Sequence, residues 1–214
     1  MKKTIVLVAL IFVSLATIAQ TSYGVRAGMT LSTHHSAQDV FQFKPGIHIG
    51  GIADIPIFSS KFSFVPGVYF ADKGTKIEGY IQPGHGYNYY NKVNISSYQL
   101  QIPLLFTYNI SINDKIKLKP QIGGFLSYGI FGIYNEKRDY EGTDSSNYPN
   151  EITSYHYFYD HHFFLDYGGN IGLSIFYNKY SFTLSCDVGS LFETRLSYSN
   201  YPDICMFFSL GYNF

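Results

Sequence analysis

The sequence predicts an all-β protein, an eight-stranded antiparallel up-and-down barrel that crosses a membrane with its strands. Three observations predict this fold: eight segments alternate apolar with polar or small residues, charged residues are scarce, and the connections are long and short in alternation. Alternation with a period of two is typical of β-strands. Only 14% of the residues are charged whereas 19% are aromatic, which favours strands in contact with lipid, because only every second residue must then be apolar.

The alternating segments are spread along the chain after its first twenty residues. They are residues 23–31, 47–55, 62–70, 98–108, 116–128, 163–175, 180–188 and 204–214. The clearest is "YQLQIPLLFTY", in which Leu100, Ile102 and Leu104 alternate with Gln99 and Gln101. The apolar faces of all eight segments contain no charged residue. We therefore expect eight strands, each with one uniformly apolar face.

The size of the barrel determines which face points inward. An eight-stranded barrel has an interior only just wide enough for side chains to fill. The opposite face is small and polar, with residues such as Gly28, Ser181 and Thr183, and it fits that space. A soluble lipocalin-like barrel would instead need many more surface charges. We predict that the apolar face contacts lipid and that the sheet closes, since unpaired strand edges are too costly in hydrocarbon.

The predicted connections alternate in length, as they do in membrane barrels with short periplasmic turns and longer outer loops. The long ones are 32–44, 72–97, 130–162 and 192–203, and the short ones are 56–61, 109–115 and 177–179. Both termini then lie on the short-turn side. The tyrosine-rich connections have two interpretations. Exposed tyrosines suit the binding of a glycan or a protein; the favoured interpretation is that strands three to six extend beyond the bilayer, with these tyrosines forming the aromatic girdle and rim.

The first 19 residues have the pattern of a secretory signal peptide. Lys2 and Lys3 precede an apolar stretch over 5–15, and Thr17 to Ala19 supplies small residues at the cleavage position. The apolar stretch is too short to span a bilayer as a helix. We expect residues 20–214 to form one exported domain, an integral barrel of the outer membrane. The alternative is a buried N-terminal helix.

The remaining composition limits the partners. Fifteen basic residues balance fifteen acidic ones, which argues against nucleic acid. Cys186 and Cys205, the only cysteines, are predicted on opposite faces of the last two strands. A disulfide between them is therefore not expected.

The chain resembles the small outer-membrane β-barrel proteins of Bacteroidetes-type bacteria, the PorT-like "porin family". The resemblance rests on "GVRAGMTLS", "PGIHIGGIADIPIFSSKFSFVPGVYFADKGTK", "YQLQIPLLFTYNI", "LKPQIGGFLSYGI" and the final "SLGYNF". Cys186 departs from it, at a position where an aromatic residue is expected. The resemblance implies insertion into the outer membrane, and by its name a secretion-accessory role. It brings no shared catalytic residues.

Six charged residues are predicted to face the interior as a charge network that can pair internally. They are Arg26, Asp54, Lys117, Lys119, Asp166 and Asp187. Buried charges require partners, and three positive residues match three negative ones. The network is interpreted as a polar plug that fixes the barrel's shape; the alternative is a narrow, selective channel.

Histidines in the predicted outer loops are weak candidates for chemistry. His156, Asp160, His161 and His162 lie close together in sequence, but without the spacing typical of a metal site. His85 is isolated, and no motif joins it or Ser154 to a catalytic arrangement. We therefore expect no metal, no cofactor and no enzymatic activity, with an outer-loop enzyme as the least favoured alternative.

The chain ends on alternating apolar residues that form a predicted assembly signal. Phe208, Leu210, Tyr212 and Phe214 occupy every second position of the last segment, which resembles the signal read by the barrel-assembly machinery. The expected partners are outer-membrane lipid, that machinery during insertion, and an envelope protein or glycan at the outer loops. We expect a monomer that binds, anchors or accompanies other envelope components.

Overall fold

The computed structural model describes residues 21–33, 41–57, 61–81, 88–141, 151–156, 165–191 and 203–214. Its eight long strands are β1 (Ser22–Thr33), β2 (Lys44–Ile57), β3 (Phe62–Ile81), β4 (Asn88–Tyr108), β5 (Ile116–Glu141), β6 (Leu165–Tyr177), β7 (Tyr180–Leu191) and β8 (Asp203–Asn213). Three short segments pair at the margins: Phe41–Gln42 with β3, and both Ile110–Ser111 and Glu151–His156 with β5. The described residues contain no helix long and apolar enough to cross a membrane.

The eight strands form a closed antiparallel barrel. Each strand pairs with the next in sequence, and β8 pairs with β1. At this seam Ala27 lies opposite Leu210, and the Phe214 amide donates a hydrogen bond of 2.9 Å to the Tyr23 carbonyl. Closure leaves no free edge in the wall, as a membrane requires. The predicted eight-stranded up-and-down barrel is confirmed.

The two faces of the wall differ as the alternation predicts. The outward positions are bulky and apolar, and Ile47 and Ile49 expose 68% and 62% of their surface. On the inward side, His48, which stands between these two isoleucines in sequence, and Arg26 on β1 are buried. Polarity is thus inverted relative to a water-soluble barrel, in which the apolar residues would fill the interior.

The short turns have residues suited to tight geometry. Asn178 occupies the left-handed region (φ 53°) in the two-residue turn between β6 and β7, a conformation that asparagine tolerates better than most residues. In the turn before β5, the Asn113 side-chain oxygen accepts hydrogen bonds from the amides of Lys115 (2.9 Å) and Ile116 (2.7 Å).

Two of the predicted long connections are wrong in extent, because strand continues where a loop was expected. β3 runs on to Ile81 and β4 begins at Asn88, so most of the predicted loop 72–97 is a paired extension of these strands. β5 likewise reaches Glu141 and pairs with Glu151–His156. The interpretation of extended strands therefore holds for β3, β4 and β5, whereas β6 is described only from Leu165. We call the sheet formed by 76–81, 88–94, 133–141 and 151–156 the projecting sheet.

A β-bulge marks the start of the projecting part of β5. Tyr98 pairs with Phe131 whereas Gln99 pairs with Gly129, so Ile130 is the extra residue on β5. Ile130 and Phe131 are consecutively exposed, and Gly132 is buried. The bulge therefore shifts the alternation of β5 by one residue, as an inserted residue must.

Candidate functional site in the barrel interior

Asp187 on β7 is the most completely enclosed charge described in the interior, with 1% of its surface exposed. Its Oδ2 atom accepts a hydrogen bond from Gln101 Nε2 (2.8 Å) and lies 3.2 Å from Lys73 Nζ. Its Oδ1 atom accepts one from Asn170 Nδ2 (2.5 Å). These donors come from β3, β4 and β6, so one carboxylate links four strands across the interior. A buried charge persists only with such partners.

Lys73 completes this arrangement on the opposite wall. Its ammonium lies 4.6 Å from the centroid of the Phe125 ring and 5.5 Å from that of Phe207, within the range of cation–π attraction. Asp166 is buried nearby and interacts electrostatically with Lys73. The cation is thus held between a carboxylate and two aromatic faces, and the residue is buried.

Two further ion pairs lie at the two ends of the interior. Lys119 on β5 pairs with Asp54 on β2 near the short turns, and its ammonium lies 4.8 Å from the Phe176 ring centroid. At the other end, Lys44 pairs with Asp72 at 2.8 Å, and both side chains are largely buried. Two of the three pairs join strands that are not neighbours, β3 with β7 and β2 with β5. They therefore fix the cross-section of the barrel.

Arg26 lies in the middle of the barrel without an ion pair among the described residues. It lines a small cavity together with Tyr69, Gln101, Ser185 and other residues. The cavity is large enough for about one water molecule. Among the residues that the structure describes, the Arg26 Nε and Gln101 Oε1 atoms have no hydrogen-bond partner. One water could therefore serve a donor and an acceptor in the same cavity.

The barrel interior also contains apolar packing that the sequence interpretation missed. Ile52, Val65, Tyr69 and Leu105 form a buried cluster, and Ala71, Cys205 and Phe207 form another. The signal for the first was present, because Leu105 stands between two outward apolar residues on β4. The interior is therefore a mixed core, polar at the ion pairs and apolar between them.

The structure brings together only part of the predicted charge network. Asp54 with Lys119 is an internal pair, and Arg26, Asp166 and Asp187 are buried. Lys117 departs from the prediction because its side chain is exposed, one residue into β5, where the barrel opens to solvent. Sequence reasoning missed the buried Lys44 and Lys73, and Asp72, since all three lie outside the segments taken as strands.

The candidate residues of the outer loops are mostly outside the described part of the chain. This applies to His85, Asp160, His161 and His162, and to the predicted signal peptide over 1–19. His156 ends the short strand Glu151–His156, and Ser154 Oγ donates a 2.8 Å hydrogen bond to Asn135. Within the described residues no cluster of three or more histidine, cysteine or acidic side chains could hold a metal.

The two cysteines are free, and they occupy opposite faces of the wall. Cys205 is buried inside, whereas Cys186 is half-exposed among the outward residues of β7. The expectation that they form no disulfide is confirmed in this structure.

An aromatic belt surrounds the short-turn end on the outside. It contains Tyr23, Phe62, Tyr108, Tyr177, Tyr180, Tyr212 and Phe214. Neighbouring rings touch, with centroids 4.9 Å apart for Phe62 and Tyr108 and 5.4 Å for Tyr180 and Tyr212. Such belts lie at the interface between hydrocarbon and water. The residues of the predicted assembly signal, Phe208, Leu210, Tyr212 and Phe214, all lie on this outer surface.

Comparisons with solved structures find similar chains of low sequence identity. Neisserial surface protein A is 13% identical, with 91% of this chain and 99% of that chain covered and a TM-score of 0.45. Ail of Yersinia pestis is 12% identical, with 90% and 98% covered and a TM-score of 0.43. The N-terminal barrel domain of Pseudomonas aeruginosa OprF is 11% identical, with 89% and 97% covered and a TM-score of 0.32.

A comparison with curated proteins finds no match. The model of one protein family, described as the outer membrane protein beta-barrel domain, matches residues 18–199 of the 214. That match extends over most of the chain and most of the barrel. The chain belongs to the outer membrane protein beta-barrel domain family.

Proposed function

We propose that this outer-membrane barrel is a non-enzymatic envelope protein, in which a filled barrel anchors the projecting sheet that binds other envelope components. The observation that carries the proposal is the enclosure of Asp187 by donors from three other strands. A carboxylate tied across the interior in this way blocks passage of solutes and stiffens the wall. A rigid wall is a suitable base for strands that continue beyond it.

The projecting sheet supplies the binding surface in this proposal. Many of its side chains are polar and contact one another: Arg138 Nε lies 2.8 Å from Glu136 on the same strand, and the Tyr90 hydroxyl on β4 donates to Glu78 on β3 at 3.1 Å. These contacts, together with the buried Val93, order the sheet. An ordered polar surface with tyrosines suits recognition of a protein or a glycan, because tyrosine supplies contact area at low entropic cost. A secretion-accessory role, as in PorT-like proteins, is one form of this function.

Conductance across planar bilayers tests the anchoring role against a channel. The narrow-channel alternative is favoured by the polar cavity beside Arg26. We expect the wild-type protein to show no stable open steps, because the ion pairs fill the interior. Stable steps in the wild type that disappear when Ser185, in the cavity wall, is replaced by Phe would establish the channel and contradict the anchoring role.

Site-specific photo-crosslinking in intact outer membranes tests the binding surface. A photoreactive amino acid at Lys92 or Lys137, both exposed on the projecting sheet, is expected to capture a recurring protein or glycan partner. The control position is Lys115, exposed in a short turn. Capture at Lys115 alone, or equal capture at all three positions, would exclude the projecting sheet as the binding surface.

The route to the membrane is part of the same proposal. We infer that residues 1–19 direct export, that the short turns face the periplasm, and that the outward residues ending at Phe214 are read by the assembly machinery. Deletion of Phe214 is expected to reduce the inserted fraction more than deletion of residues 82–87. The inserted fraction is measured by heat-modifiable migration of membrane extracts. Comparable insertion of the two variants would contradict a role for Phe214 in assembly.

A further inference from the structure

The rim at the short-turn end of the barrel carries a ring of exposed lysines. Lys61 lies in the turn before β3, Lys115 and Lys117 at the turn before β5, and Lys179 in the turn before β7. Every described turn between strands at this end therefore contributes at least one. The only acidic side chain described in these turns is Asp114, so the described turns carry a clear excess of positive charge.

The backbone of these turns is fixed, so the positions of the lysines around the rim are defined. The Lys61 carbonyl accepts a hydrogen bond from the Asn109 amide (2.6 Å), that of Lys115 from the Asn178 amide (2.9 Å), and that of Lys179 from the Asn213 amide (2.8 Å). Each of these three hydrogen bonds thus joins a lysine to the neighbouring segment of the chain. Among the described residues, none of the four forms an ion pair.

The lysines lie directly beside the aromatic belt that surrounds the same end. Lys179 Nζ is 5.8 Å from the centroid of the Tyr212 ring, and Lys61 precedes Phe62, which is 53% exposed. An aromatic belt lies at the level where hydrocarbon meets headgroups. A long lysine side chain next to it can keep its methylene groups in the interface while the ammonium reaches the headgroups.

We propose that this rim binds the anionic headgroups of phospholipids in the leaflet at the short-turn end. The distribution of charge favours lipid over a protein partner, because the lysines are spread around the circumference and not gathered on one side. The projecting end differs in its charge balance, because five acidic residues there match four basic ones: Glu78, Glu136, Asp139, Glu141 and Glu151 against Lys76, Lys92, Lys137 and Arg138. Among the described residues, the excess of basic charge is therefore at the short-turn end of the barrel. This proposal rests on the membrane barrel itself and not on what the projecting sheet binds.

Lipid selectivity in reconstituted vesicles tests the proposal. The protein is placed in phosphatidylcholine vesicles, and the association of spin-labelled phosphatidylglycerol is compared with that of spin-labelled phosphatidylcholine by electron spin resonance. A basic residue near an anionic headgroup favours binding by roughly fivefold at that site. Averaged over all lipids around the barrel, we expect phosphatidylglycerol to be preferred by about twofold at low salt, with the preference falling as salt screens the charges.

Two variants with the same change in charge locate the effect. The rim variant carries Lys61→Gln, Lys115→Gln and Lys179→Gln, and the control carries Lys76→Gln, Lys92→Gln and Lys137→Gln on the projecting sheet. The preference is expected to be lost in the rim variant and kept in the control.

Three results would overturn the proposal. They are equal association of both lipids with the wild type, loss of the preference in the control variant alone, and salt-sensitive capture of soluble polyglutamate by the rim without lipid preference. The last result would assign the rim to an acidic polypeptide. These results are independent of the conductance and crosslinking experiments, which test the proposed function.

Discussion

The inner and outer faces of the barrel wall place different demands on their residues. Inside, Asp187 has three specific partners, Lys73, Gln101 and Asn170, each from a different strand. Outside, Ile47 and Ile49 need only be apolar, because lipid adapts to their shape. An inward position therefore requires a particular residue, whereas an outward position requires only an apolar one.

Removal of the Asp187 charge should have the largest effect on stability. In Asp187→Asn, Lys73 stays buried without its principal partner, which costs about 3–5 kcal/mol in comparable pairs. Urea unfolding in vesicles measures this loss. The double variant Lys73→Met with Asp187→Asn should recover part of it, because no uncompensated charge remains. A single variant as stable as the wild type would mean that water already fills the interior.

A lysine on the outer face should have the next largest effect. Leu104 is 39% exposed and lies four residues along β4 from the belt residue Tyr108. Leu104→Lys should cost about 2–4 kcal/mol because it places a charge in hydrocarbon. The matched control is Ile112→Lys, in an exposed turn, where little change is expected. Equal losses measured by urea unfolding would place Leu104 in water or Ile112 in lipid.

The two faces should also respond differently to an added methyl group. A Cβ atom at the inward Gly28 would lie 1.8 Å from the carbonyl oxygen of Phe208, whereas at the outward Gly51 the nearest atom is 3.8 Å away. Gly28→Ala should therefore cost about 1–3 kcal/mol through overpacking, and Gly51→Ala should be nearly neutral. Thermal unfolding in detergent compares the two variants. A larger loss of stability in Gly51→Ala than in Gly28→Ala would mean that the inward and outward faces are assigned the wrong way round.

The same difference between faces explains how much of the fold could be predicted from the sequence. The wall was predictable because lipid imposes a strict alternation, as in Leu100, Ile102 and Leu104. The projecting sheet was not, because the outward face of β4 is apolar from Tyr98 onwards but polar before it, as at Lys92 and Asn94, so the alternation of apolar and polar residues is lost. The bulge at Ile130 also ended the regular pattern of β5 while the strand continued.

The interior site was predictable in its character but not in its pairs. Alternation identifies Asp54, Lys119 and Asp187 as inward residues, but it cannot give the height of each residue in the barrel or its distance across the interior. Lys73 lies just beyond the segment recognised as the third strand, so the partner of Asp187 was missed. By alternation Lys117 belongs to the inward face, together with Lys119. It lies at a strand end, however, where a residue of the inward face is not necessarily buried.

The central claim, that the apolar face of each strand contacts lipid around a filled interior, can be measured most directly along β4. A nitroxide label is placed singly at each position from Leu100 to Phe106 in a background with Cys186→Ser and Cys205→Ser, and its accessibility to oxygen is measured in vesicles. We predict maxima at the even positions Leu100, Ile102, Leu104 and Phe106, which face lipid, and minima at the odd positions between them. Uniform accessibility, or maxima at Gln101, Pro103 and Leu105, would contradict the account.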